Sequence, residues 1–333
     1  MVELSLVLPP EPDERWDLAR QVGVDTAVVH ALEIGDGTTH WSHDRLQAVQ
    51  NWFSNAGLDI GVVEGSVPLS DTTRLGLPGR DEEIAQFQQF LRDLGALGIP
   101  VVCYDWMAGL RWARTGVHVD ARGGSLVSEF DARDVPGTSD HRAVNLDHEE
   151  LWENLAYFLE AVVPVAEEAG VRLGLHPDDP PRPSVKGIPR IVDSVDAFDR
   201  VLGLVDSHAN GVTLCQGNVA AMGADVPETI RHFGDRIAFA HFRDVRGDAD
   251  HFVETWHDDG PTDMLAAMQA YRDVGFDGPM RPDHVPTMAG EDNSLPGYHT
   301  KARLWAIGYM RGLLEATEPT DAGEGRRGGQ SES

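Results

Sequence analysis

Val-Arg-Leu-Gly-Leu-His (171–176), Gly-Val-Thr-Leu-Cys (211–215), Ile-Ala-Phe-Ala-His (237–241) and Gly-Pro-Met-Arg-Pro-Asp-His (278–284) follow one another along the chain, and each is a short apolar run that stops on a potential metal ligand. Short apolar runs bounded by Gly, Pro and Asp read as buried parallel strands when amphipathic segments separate them. A (β/α)8 barrel builds its site from side chains at the carboxyl ends of successive strands. The runs therefore predict an α/β fold, a single (β/α)8 TIM barrel, with His176, Cys215, His241 and Asp283 meeting at one mouth. Two imidazoles, a thiolate and a carboxylate suit a divalent transition metal such as Mn, Fe, Co or Zn.

Working outward, the remaining strands fall near Leu4–Leu8, Thr26–Leu32, Leu58–Val63 and Ile99–Tyr104, and the quoted runs supply Val171–Leu175, Gly211–Leu214, Ile237–Ala240 and Pro279–Arg281. Helices between them carry start signals at Ser42, Asp81, Asp147, Ser194, Asp225 and Thr262, and the last, from about His299 to Glu315, closes the ring. Eight alternating units favour a closed barrel over an open sheet, and no glycine-rich dinucleotide fingerprint follows the first strand. Two segments break the alternation. Residues 107–145, after the fourth strand, form a long connection of the kind that is either a functional lid or disordered. Residues 318–333 have almost no apolar side chain and are expected to be a disordered tail beyond a catalytic domain of residues 1–317.

Charge is the compositional outlier. The 333 residues hold 55 Asp+Glu against 27 Lys+Arg, a formal net charge of −28, and the only lysines are Lys186 and Lys301. Acids spread over nearly every expected helix suggest a protein kept soluble in high salt, where screening removes self-repulsion. A nucleic-acid partner is disfavoured because it needs a basic face. No apolar stretch approaches the ~18 residues of a membrane span. The amino terminus lacks a signal peptide's basic flank and reads as the first strand, and two cysteines make no disulfide framework, so a cytoplasmic location is expected.

Each ligand candidate also has a plainer reading. His176 before a proline reads as a turn residue, Cys215 as a small buried hydrophobe, His241 as an orienting residue and Asp283 as a helix cap. Their shared place at the ends of consecutive strands carries the metal reading. Cys103 is equally placed, but Val-Val-Cys-Tyr reads as core wall.

Leu-His-Pro-Asp-Asp-Pro-Pro (175–181), Gly-Ile-Pro-Arg-Ile-Val (187–192), residues 206–217 and 233–243, Met-Arg-Pro-Asp-His (280–284) and Pro-Gly-Tyr (296–298) together resemble the D-mannonate dehydratase family of the xylose-isomerase-like barrels. Leu-Gly-Leu-Pro-Gly-Arg-Asp (75–81) and Val-Val-Cys-Tyr-Asp-Trp-Met (101–107) extend the resemblance into the amino half. It implies Mn²⁺ or Fe²⁺ held by His176, Cys215, His241 and Asp283, catalysis by His284 and Tyr298, and a small sugar acid as substrate. Arg243 and Arg281 are candidates for binding that acid, the alternative being structural pairing with Asp244 and Asp178. A homo-oligomer, dimer or higher, is expected. The chain departs from the family pattern at Asp105, at Asp244, after Cys215 and at Pro-Leu-Ser-Asp (68–71), all in the polar wall and none in the ligand set. The competing readings are a metal-dependent sugar isomerase or epimerase on the same barrel and a dehydratase for another aldonate.

Overall fold

The computed structural model describes residues 2–30, 33–34, 38–39, 42–65 and 67–318. Its centre is a closed barrel of eight strands, β1 (Glu3–Leu8), β2 (Thr26–Val29), β3 (Asp59–Glu64), β4 (Val101–Asp105), β7 (Arg172–His176), β8 (Asn210–Cys215), β9 (Ile237–Phe242) and β12 (Pro279–Pro282). Every neighbouring pair is parallel, and β12 returns to β1 to close the ring. The expected strands are all present. β3, β4 and β9 run one or two residues further than expected, so that Glu64, Asp105 and Phe242 are their last residues. β2 stops at Val29; Leu32, its expected end, lies outside the described residues, as does the tail from residue 319.

Helices follow the strands and present apolar stripes to the barrel. Asp147 and Glu150 form a reciprocal capping box at the start of His148–Ala169, and Gly170, at φ 69°, ends that helix in the left-handed region. Phe158 on that helix packs edge-on against Phe87 at 5.0 Å between centroids, joining it to the helix Arg80–Leu97. Inside the barrel, Val28, Val62, Val101, Cys103, Ala238 and Phe239 form a separate apolar plug below the mouth.

The 107–145 segment is folded. It carries β5 (Gly116–Asp120) and β6 (Leu126–Asp131), which join β10 (Val245–Gly247) and β11 (His251–Glu254) in an antiparallel sheet of order β10-β11-β6-β5. Phe130 and Phe252 pack beneath it with Ala113, Val185, Ala221 and Val245. This sheet draws on the connections after β4 and after β9, and so covers the carboxyl-terminal mouth of the barrel from two sides.

Candidate active site

Register sets the site. Cys215 pairs with His241, and His241 with Arg281, so three neighbouring strands end at one level. Arg281 and Asp283 are two residues apart and face the same way. A ligand atom from each of His176, Cys215 and His241 lies within 4.8 Å of the others. Asp283 flanks this group, with Oδ2 3.7 Å from the Cys215 sulfur and 3.6 Å from His241 Nδ1. His176 Nδ1 is 2.7 Å from the Pro177 carbonyl; donating there leaves Nε2 a lone pair for a metal. Glu64 lies 3.1 Å from His241 Nε2, but the direction is wrong for a hydrogen bond, and both His241 nitrogens are buried without a hydrogen-bond partner among the described residues. A buried imidazole nitrogen with no hydrogen-bond partner beside a buried thiol and a carboxylate has the chemistry of a metal ligand. The donor set fits a divalent transition metal.

A network of buried charge surrounds this group. Arg281 forks onto Glu64 at 2.7 and 2.9 Å and reaches Asp283 Oδ1 at 2.7 Å. Arg243 reaches Asp283 Oδ2 at 2.7 Å, Glu254 at 2.9 and 3.0 Å and Asp179 at 3.2 Å. Both arginine side chains are 1% exposed. Their partners are thus not the ones weighed from sequence: Asp178 pairs with Arg190, and Asp244 accepts from Val245 and Thr262. Burial alone would raise the Asp283 carboxyl, but Arg281, His284, His241 and Arg243 pull it well below the ordinary carboxylate range. It is therefore a preformed, oriented anion.

Above the ligands opens a cavity of about 270 Å³ lined by His30, Glu64, Cys103, Asp105, Arg111, Trp112, His176, Asp179, His241, Arg281, Asp283, His284 and Tyr298 among others. That is near the small end of ligand sites, ~300–1,000 Å³. His284 and Tyr298 meet edge to face at 5.4 Å, and Trp112 closes over His284 at 5.7 Å. His284 Nδ1 lies 2.9 Å from Glu254 Oε1. Burial, then the nearby Asp283 charge, hold the Tyr298 phenol above its ordinary range. Glu64, Asp179, Glu254, Arg114 and His30 were missed from sequence. The doubled acid Asp178-Asp179, next to His176, was a readable signal; Glu254 and Arg114 carried none, because they enter from the end of β11 and from the connection leading into β5.

A family model described as D-mannonate dehydratase (UxuA) matches residues 17–146 and 138–323. Mannonate dehydratase of Thermotoga maritima is 35% identical over 90% of this chain and 92% of its own length. Mannonate dehydratase 2 of Halalkalibacterium halodurans is 36% identical over 83% and 88%. The crystal structure of mannonate dehydratase from Streptococcus suis serotype 2 superposes with a TM-score of 0.88 at 32% identity, covering 95% of each chain. The chain belongs to the D-mannonate dehydratase family. A D-psicose 3-epimerase from Clostridium cellulolyticum H10, TM-score 0.61 at 15% identity, shares the fold alone.

Within the D-mannonate dehydratase family frame, the departures now have structural contexts. Asp105 pairs with Arg74 at 3.3 Å, contacts Arg111 closely and accepts from the Met107 amide at 3.1 Å. Its extra charge is thus matched by two cations at the edge of the cavity. Asp244 lies away from the cavity and closes the turn to Thr262, which is why an acid is tolerated there. Asp71 receives the Gly109 amide at 2.9 Å and lies 3.2 Å from His141, tying the third-strand loop to the segment after β4.

Proposed function

We propose that this protein is a hydro-lyase that dehydrates a sugar acid, D-mannonate to 2-dehydro-3-deoxy-D-gluconate and water, with Mn²⁺ or Fe²⁺ held by His176, Cys215, His241 and Asp283. The observation that carries the reading is the adjacency of this ligand group to two proton-transfer groups of different type, His284 and Tyr298, in one small cavity. When bound, the metal supplies Lewis-acid stabilisation of the negative charge that develops next to the substrate carboxylate.

The side chains divide the remaining work. A carboxylate on Nδ1 keeps that nitrogen protonated, so His284 presents the lone pair of Nε2 and acts as the base at C2. Tyr298, whose phenol is held protonated by burial, acts as the acid at C3. The C2–H bond breaks toward His284, the C3–O bond breaks as its oxygen takes the tyrosine proton, and water leaves. The enol then takes a proton at C3 from the His284 imidazolium and gives up its O2 proton to the Tyr298 phenolate, which yields the 2-keto-3-deoxy acid and returns both side chains to their starting states. Arg243 and Arg281, proposed from sequence as substrate-binding, are better supported as the groups that aim Asp283; Arg281 also lines the cavity.

The test is an aldonate panel with Mn²⁺ at high salt, read out as 2-keto-3-deoxy acid. Mannonate is expected to turn over fastest. A keto-sugar formed from an aldose, with no product from any aldonate, would overturn the reading in favour of an isomerase.

A further inference from the structure

We infer that Glu254 is a positioning residue for His284, and that the covering sheet is thereby part of the proton-transfer machinery. This rests on the reading of His284 as the base. Glu254 is the last residue of β11, on a strand that pairs with β10 on one side and β6 on the other, so its backbone is fixed by the sheet. Its Oε1 lies 2.9 Å from His284 Nδ1. A carboxylate only accepts, so the hydrogen of that bond belongs to Nδ1 and the free lone pair to Nε2, which is 3.9 Å from Asp283 Oδ1. Arg114 Nη2, which can only donate, also lies 3.4 Å from Nδ1, but it donates at 2.6 Å to Glu254 Oε1, so the 2.9 Å carboxylate contact is the shorter one at Nδ1 and selects the tautomer and ring orientation.

The carboxylate can stay charged there because two guanidiniums hold it. Arg114 Nη2 approaches Oε1 at 2.6 Å, and Arg243 approaches both oxygens at 2.9 and 3.0 Å. Arg114 also forks onto Asp179 at 2.5 and 3.0 Å, so the contact is anchored to the loop that follows β7. The side chains of Arg114, Glu254 and His284 are 1%, 3% and 5% exposed. Inside this dry setting a proton gained at Nε2 creates an imidazolium facing a carboxylate across a formed hydrogen bond, so the charge that appears during C2–H cleavage meets a counter-charge already in place. None of these groups needs to touch the substrate. Arg114, in the connection that leads into β5, and Glu254, at the end of β11, are 140 residues apart, and the folded covering layer brings them together over His284.

Glu254→Gln keeps the volume and removes the charge. Its kcat is expected to fall by on the order of 10²–10⁴, as when the carboxylate behind a catalytic histidine becomes an amide, while KM and bound manganese stay within about threefold. In a His284→Asn background the same substitution is expected to cost less than about threefold, because the two residues act as one unit. A full additional loss in that background would overturn the proposal and leave Glu254 as a structural charge. If loss of the charge prevents folding, a second measurement decides. Long-range proton–nitrogen spectra of the full wild-type chain loaded with zinc, a diamagnetic ion, should show the His284 hydrogen on Nδ1, and a hydrogen on Nε2 sinks the inference. That spectrum does not depend on turnover. A chain inactive on every aldonate but with the Nδ1 tautomer would refute the proposed function and keep the Glu254–His284 coupling.

Discussion

Removing one hydroxyl separates chemistry from packing at this site. Tyr298→Phe keeps the ring against His284, His30 and the Arg303 guanidinium, which lies 4.8 Å from the ring centre. It should therefore keep metal and most of substrate affinity but lose about 10²-fold or more in kcat; near-normal turnover would return Tyr298 to a packing role. At the ligands, Cys215→Ser replaces a soft anionic donor with a hydroxyl, and His241→Ala removes the ring with two orphaned nitrogens. Both variants should fold and lose bound metal together with activity, and full occupancy by elemental analysis in either would sink that ligand assignment. Outside the ligand set, His257 is fully buried between Phe242 and Trp305. Burial is the main cause that lowers its imidazole from 6.5 to about 4; the Asp283 and Glu254 charges oppose the shift and Arg243 adds to it, all by smaller amounts. Because its folded value is depressed, the unfolded chain binds the extra proton first. Stability should thus be full above pH 6.5 and decline as pH falls toward 4, by about 3 kcal/mol at ~1.4 kcal/mol per unit. His257→Phe should flatten the denaturation midpoint across that window. An unchanged slope would mean that other groups carry the acid sensitivity.

Elements explain which parts of this arrangement could be read in advance. The parallel strands were legible because each is short, apolar and punctuated, and the helix starts at Asp147, Ser194 and Asp225 were legible because their side-chain caps are local chemistry; Ser42 also precedes its helix, without a side-chain cap bond. The covering sheet was not. Its strands pair antiparallel between residues 126–131 and 251–254, so no local window holds the pattern, and the half-exposed β5 lacks a clean apolar face. Glu64 was hidden for a related reason: the partner of its side chain, Arg281, is 217 positions away on a strand that does not adjoin β3. The short helix after β8, Gln216–Ala221, gives a prediction at this scale. Gly217 packs its backbone against the Arg243 guanidinium, and a Cβ there would strike it. Arg243 cannot swing aside without leaving Asp283, Glu254 and Asp179, which would strand buried charges. Gly217→Ala is therefore expected to lower the melting temperature and the bound-metal stoichiometry together, although it lies outside the ligand set. Wild-type metal content in a stable variant would show that the arginine is not clamped as described.

For the molecule as a whole, the interior and the surface treat charge oppositely. Inside the mouth, acids and arginines are matched nearly one for one at hydrogen-bond distances. Outside, the excess of acids is left over, and the helix His148–Ala169 shows it: Glu149, Glu150, Glu153, Glu160, Glu167 and Glu168 are all exposed, with no lysine or arginine on that helix. Among the described residues only Glu149 of these has an arginine partner, Arg200 at 2.8 Å. Like charges four apart on a helix destabilise it, and a net charge of −28 adds repulsion across the whole surface. Screening shortens that repulsion from a range of ~30 Å at 0.01 M salt to ~3 Å at 1 M, whereas the buried network at the mouth is shielded from salt already. The melting temperature is therefore expected to climb steeply from 0.05 M to about 1 M sodium chloride and then level off. The triple variant Glu153→Gln, Glu160→Gln, Glu167→Gln should start higher at 0.05 M and climb less, because it removes repulsion without touching the site. A wild-type melting temperature that is flat across this range, or a triple variant that climbs as steeply as its parent, would reject surface repulsion as the source of salt dependence.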